Sequence, residues 1–240
     1  MKKIGLFLLI TSILCTPVIP ETVSINMGGD GGSTTARLFQ LLFSFTLIGL
    51  APFLVMTITS FTRIMIVFSF LRSAMGLQQS PPNMVLVSLA LFLTGFIMEP
   101  VFTKAYQEGY KPLVEETITE EEALPRMFAP FKEFMLHQTR QKDLELFKDL
   151  SKENFEKIED APAKVIIPSF VISELRRAFE IGFLIYLPFL ILDMIVASVL
   201  MAMGMMMLPP VVISLPFKVI FFVLIDGWHV LAGTLVNSFK

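Results

Sequence analysis

The chain has 240 residues, 54% hydrophobic and 17% charged, with a formal net charge of -2. Its mean hydropathy of +0.72 lies on the membrane side of ordinary soluble usage, and no basic surplus exists to hold nucleic acid. The single cysteine, Cys15, excludes an internal disulfide framework; His137 and His229, far apart and without cysteine neighbours, exclude a zinc site.

At the N-terminus Lys2 and Lys3 precede an apolar run from Ile4 to Leu14, then polar and proline-containing sequence follows. A charged region ahead of an apolar stretch of about 7–15 residues reads as a secretory signal, assigned to residues 1–20. Leu14 is not the small residue a lipoprotein site places before its cysteine, which leaves Cys15 as an ordinary member of the apolar run. Residues 21–36 read as a linker; Gly28 to Ser33 is its flexible part, and Ser33 is the expected helix cap.

Residues 37–103 read as a first membrane hairpin region. Leu38 to Ile58 is nearly all apolar and long enough for a bilayer core, which needs about 20 residues. Between Arg63 and Arg72, Ile64 to Leu71 is too short to span, so it is expected in an interface or against protein. Met84 to Met98 is a short apolar segment unless Pro100-Val-Phe102 extends it.

Residues 104–164 differ in kind. Fourteen of the 21 acidic and ten of the 19 basic residues lie there, so this is a water-facing insert. Met127, Phe128, Phe131, Phe134 and Met135 recur at helical spacing, as do Leu144, Phe147 and Leu150. Those faces suit either docking on partner chains or a small helical core of their own. Thr119-x-x-Glu122 has the form of a capping box, and Pro125, Pro130 and Pro162 are expected to break the insert into short helices.

Residues 165–240 read as a second membrane hairpin region. Pro168 to Phe179 is an amphipathic lead-in carrying Glu174, Arg176 and Arg177. Ile181 to Met207 is apolar but interrupted by Pro188 and Asp193; Val211 to Leu235 is interrupted by Pro216, Lys218 and Asp226. A cleaved signal puts the mature N-terminus, the insert and the C-terminus outside, with Arg63 and Arg72 in a cytoplasmic loop. Arg176 and Arg177 then sit on the wrong side for the positive-inside rule. These conflicts fit apolar hairpins buried in protein as much as in lipid.

No nucleophile elbow, phosphate loop or zinc-protease motif is present, so the chain reads as a non-enzyme. Asp193 and Lys218 are charges inside apolar segments, each costing about 2.5–3.5 kcal/mol on insertion scales. They suit a proton relay or a structural ion pair, and Glu174 is an equal candidate partner for Lys218. Ser198 and Ala202, four apart, permit close helix approach. Five methionines fall in the seven residues Met201 to Met207, ahead of Pro209-Pro210. Flexible thioethers at a helix break read as a mobile apolar constriction, with buried core as the alternative.

Ser60-Phe-Thr-Arg-Ile64, Leu71-Arg-Ser-Ala-Met-Gly-Leu-Gln-Gln-Ser-Pro-Pro-Asn83, Ser173-Glu-Leu-Arg-Arg-Ala-Phe179, Ile185-Tyr-Leu-Pro-Phe-Leu-Ile-Leu-Asp193, the methionine segment up to Pro210, Ser214-Leu-Pro-Phe-Lys218 and Asp226-Gly-Trp228 closely resemble the FliP family of flagellar biosynthetic proteins. The resemblance covers roughly residues 35 to 235. Export proteins of virulence type III secretion are similar and supply a second reading; the signal segment leans to the flagellar branch.

The resemblance implies an all-α integral membrane protein with interrupted apolar helices and a charged extracytoplasmic insert. It implies about five copies assembled with FliQ and FliR, beside FlhA and FlhB, in the bacterial inner membrane at the flagellar basal body. Unfolded flagellar subunits would pass through the central pore, lipid would surround it, and no cofactor is called for. Met205, Met206 and Met207 match the family's pore gasket, and Arg63, Arg72, Pro81, Pro82 and Asn83 its cytoplasmic loop motif. Glu174, Asp193 and Lys218 are candidates for assembly or buried charge. A proton-coupled transporter is the competing class; it would be expected to show inverted repeats, and only broken helices are present.

Overall fold

A computed structural model describes residues 34–239 apart from 154, 156 and 206. The signal segment, the expected cap Ser33 and Met206 therefore lie outside the described residues. Every regular element among the described residues is helical. The chain divides into two compact units, Met1–Ile48 and Gly49–Lys240.

Helix α1, Thr34–Ile58, begins in the first unit. There it leaves Leu38, Phe39, Leu42, Phe43 and Phe45 exposed, a surface suited to lipid or protein rather than water. All that follows concerns the second unit. The chain bends by 81° between Pro52–Ile58 and α2, Phe61–Ala74. Carbonyls freed at such a bend need other donors. Thr59 and Thr62 supply them, their hydroxyls donating to Val55 O and Met56 O at 2.6 Å each.

Helix α2 is the hub of the unit. Ile64, Val67, Phe68, Leu71 and Ala74 recur on one face and are almost wholly buried, so the short apolar stretch packs on protein. Its neighbours are α3, Asn83–Ala105, and the 40-residue α7, Ala163–Ala202. At the α7 contact Gly182 meets Phe70; a Cβ there would come within 2.6 Å of the ring.

Several sequence breaks are absent. Helix α3 runs through Pro100 and on through a π turn, Tyr106–Tyr110, into α4, Lys111–Val114, giving one 32-residue candidate span. Pro125 and Pro130 lie inside α5, Glu120–Gln138, and only Pro162 marks a helix end, at the start of α7. A proline removes one backbone bond at about 3 kcal/mol; Pro130 is itself buried, and that burial works against the loss. Pro168 and Pro188 lie within α7, and Pro216 within α8, Pro210–Leu224. Thr119 stands at the N-cap of α5 but makes no side-chain cap bond, so the capping box is not formed.

The insert shares its core with α7. Met135 of α5 and Leu144 of α6, Gln141–Ser151, pack with Val165, Ile166 and Phe170 of α7, joined by Phe128, Phe134 and Phe147. The helical Phe and Met face is thus spent within the chain, although Leu150 stays exposed. After α8 the chain turns by 64° into α9, Gly227–Asn237, through Asp226 at φ 49°.

Forty residues of α7 extend about 60 Å, twice a hydrocarbon core of about 30 Å. The first half lies against the insert and the second half carries the apolar run. Among the described residues two helices are long and apolar enough to cross a membrane, or up to four if each bent pair is one span.

Candidate functional site: a methionine turn above two buried ion pairs

The turn from α7 to α8 is fixed at both ends. Gly204, at φ +75°, occupies the left-handed position that closes a helix. Met205 N–H donates to Leu200 O and Gly204 N–H to Met201 O, each at 3.0 Å. Pro210 opens α8 at its first position, where the missing N–H is harmless. Between these stops the described methionines are exposed. Met205 is 45% exposed and Met207 98%, so the described methionines of the turn are not spent on the chain's own core. Ser198 and Ala202 are also exposed, and no helix among the described residues uses that small-residue approach.

About 15 Å back along α7, ten residues from Met203, Asp193 meets Lys218. The Lys218 ammonium donates to Asp193 Oδ2 at 2.7 Å and to Ala74 O at 3.0 Å. Ser214 Oγ donates to Asp193 Oδ1. Three helices, α2, α7 and α8, are tied at one point. Lys218 also reaches the carbonyl end of α2, where a cation is favoured by the helix dipole.

Glu174 does not serve Lys218. It pairs with Arg63 through Nε–H to Oε2 at 2.8 Å and a second bond from Nη2 to Oε1, both side chains fully buried. Nη1 donates to Ser238 O at 2.9 Å and Ser238 Oγ at 3.0 Å, and Nη2 to Gln138 Oε1 at 3.1 Å. All five guanidinium donors are used, which is what burial of a charge demands. Phe239 covers the group at 3.6 Å. Arg63, read from the sequence as a loop residue, thus stands inside a helix at the centre of the unit. Of that loop motif, Arg72 hydrogen-bonds Asn83 across the α2–α3 connection, and Pro81 and Pro82 lie between them.

The FliP family's sequence model matches residues 44–235. The chain belongs to the FliP family. It is similar to the flagellar biosynthetic protein FliP of Caulobacter vibrioides, 52% identical over 92% of this chain and 83% of that protein. FliP of Rhizobium meliloti is 51% identical over 91% of this chain and 89% of its own. FliP of Bacillus subtilis is 51% identical over 91% and 99%. The methionine turn and both ion pairs all lie inside the stretch matched to the FliP family.

Sequence reasoning missed Gln138, Ser238 and Phe239 around Arg63, and Ser214 beside Asp193. Ser214 was findable: it lies four residues from Lys218, on the same helix face.

Proposed function

We propose that the chain is the membrane subunit of the flagellar protein export gate, and that several copies, about five, surround a pore for unfolded flagellar subunits. FliQ and FliR complete the conduit, with FlhA and FlhB beside it in the inner membrane. The single observation that carries this reading is the methionine turn. Exposed thioethers stand between a glycine stop and a double proline, joining two apolar helices. Copies arranged around one axis bring these turns into a ring. A collar of flexible, weakly selective side chains closes on itself and yields to any passing chain. The buried pairs below it hold α7 and α8 against α2, so the collar sits on a rigid base.

The similarity to flagellar biosynthetic proteins supports the flagellar branch over virulence secretion. A transporter would be expected to carry a polar site open to substrate; Asp193 and Lys218 instead engage each other, a serine and a carbonyl. The deciding experiment is the native mass of the detergent-extracted complex, expressed with its neighbouring membrane proteins. A large assembly holding several copies is the expected result. A lone monomer or dimer under conditions that preserve membrane complexes would sink the pore and return the methionines to another role.

A further inference from the structure

Glu99 and Arg177 stand on the two helices that flank α2, and neither has an ion-pair partner among the described residues. Glu99 on α3 is exposed, and its carboxylate accepts only from the Thr103 hydroxyl at 3.3 Å. Arg177 on α7 is half-buried and makes no hydrogen bond or ion pair among the described residues. The carboxylates one turn to either side are committed: Glu174 to Arg63, and Glu180 to Arg176 at 2.8 Å. Lys104, near Glu99, is engaged with Glu133. One outer helix therefore carries a surplus negative charge and the other a surplus positive one.

Both charges flank the Arg63 cluster. Gln138 and Phe239 touch Arg63, whose partner Glu174 is one turn from Arg177. The same Gln138 and Phe239 line a cavity with Pro100 and Val101, the residues next to Glu99. Both charges also border an apolar run, Met84 to Met98 on α3 and Ile181 onward on α7.

The surfaces behind the charges match in register. Phe92, seven residues from Glu99, is 79% exposed and Phe96 is 70% exposed. Nothing stands over Gly95 between them. On α7, Leu184, seven residues from Arg177, opens an apolar groove of about 260 Å³ lined also by Pro188, Phe189, Phe222 and Leu231. Seven residues rise roughly 10 Å along either helix.

We propose that α3 of one copy docks on α7 of the next, with Glu99 pairing with the neighbouring copy's Arg177 and Phe92 entering the groove beside Leu184. This rests on the ring of copies argued above. Rotation about an axis along the membrane normal preserves height, so a head-to-tail contact joins two different faces at equal level. These faces suit it: an apolar stripe ending in a carboxylate, and an apolar groove ending in a guanidinium.

The test uses the full complex in membranes. Glu99→Arg and Arg177→Glu are each expected to lower the yield of assembled complex roughly tenfold, because like charges then meet across the contact, and the double reversal to restore it. In a Cys15→Ser background, Glu99→Cys with Arg177→Cys is expected to give a ladder of linked copies with a short bismaleimide; each cysteine alone gives none. A double reversal no better than the worse single overturns the contact. So does an absent ladder in a complex whose mass shows several copies, and the ring then stands without it. A parent protein that forms no multi-copy complex overturns the ring reading and this contact together.

Discussion

Lys218 Nζ lies 3.0 Å from the carbonyl oxygen of Ala74, so the last turn of α2 is capped by a side chain 144 residues further along. The same ammonium holds Asp193. Breaking a buried pair strands its partner at about 3–5 kcal/mol, and the half-buried Asp193 places this pair at the lower end. Lys218→Met is therefore expected to lower Tm of the purified complex by roughly 10 °C, at about 2–4 °C per kcal/mol for a chain of this size. Adding Asp193→Asn recovers part of the loss, since no stranded charge remains. Lys218→Glu is expected to prevent assembly. A Lys218→Glu complex formed at parental yield counts against the buried pair.

Arg63 makes five donor contacts in one plane, which a lysine ammonium with three donors cannot reproduce. Arg63→Ala strands Glu174, again at about 3–5 kcal/mol; Arg63→Lys recovers only part. Denaturation in detergent micelles measures both. Parental stability for Arg63→Lys would mean that charge alone, not the fork, holds the knot.

Replacing Met205, Met206 and Met207 together by Gly is expected to leak small ions through the membrane while export persists in part. Assembly stays near normal, because the exposed methionines of this turn are not in the chain's core. Conductance recorded across planar bilayers or whole cells decides it, and an unchanged value removes the seal.

Gly182 permits the close approach of α7 to Phe70 of α2. Gly182→Leu is expected to force the helices apart at about 1–3 kcal/mol or more, the scale of overpacking, and to cut complex yield. Shrinking the opposing ring with Phe70→Ala in the same chain restores yield in part. If Gly182→Leu alone assembles like the parent, the close contact is not needed.

The class of the fold was legible because apolar runs and a charged insert separate cleanly along the chain. The connections between distant residues were not. Asp193 and Lys218 stood out as charges among apolar residues, yet nothing in their spacing chose between Asp193 and Glu174 as partner. Glu174 found Arg63, 111 residues away, and no periodicity reports such a distance. Prolines misled for a different reason. Proline ends a helix only when its lost bond outweighs the packing gained on either side, and at Pro130, Pro168 and Pro188 the flanking turns are well buried or strongly apolar. The insert's Phe and Met face was visible, but its partner, the first turns of α7, lies beyond a stretch with no helical pattern.

The Arg63 knot also sets a clock for the nascent chain. Its acceptors arrive 75, 111 and 175 residues after the arginine. At about 5–20 residues per second of synthesis, Arg63 is incorporated roughly 9–35 s before Ser238 exists. During that interval a full positive charge lies within an apolar helix and lacks its last acceptors. Solvent, lipid headgroups or the insertion machinery must hold it until the distal segment arrives, which makes α2 an element that threads early and settles late.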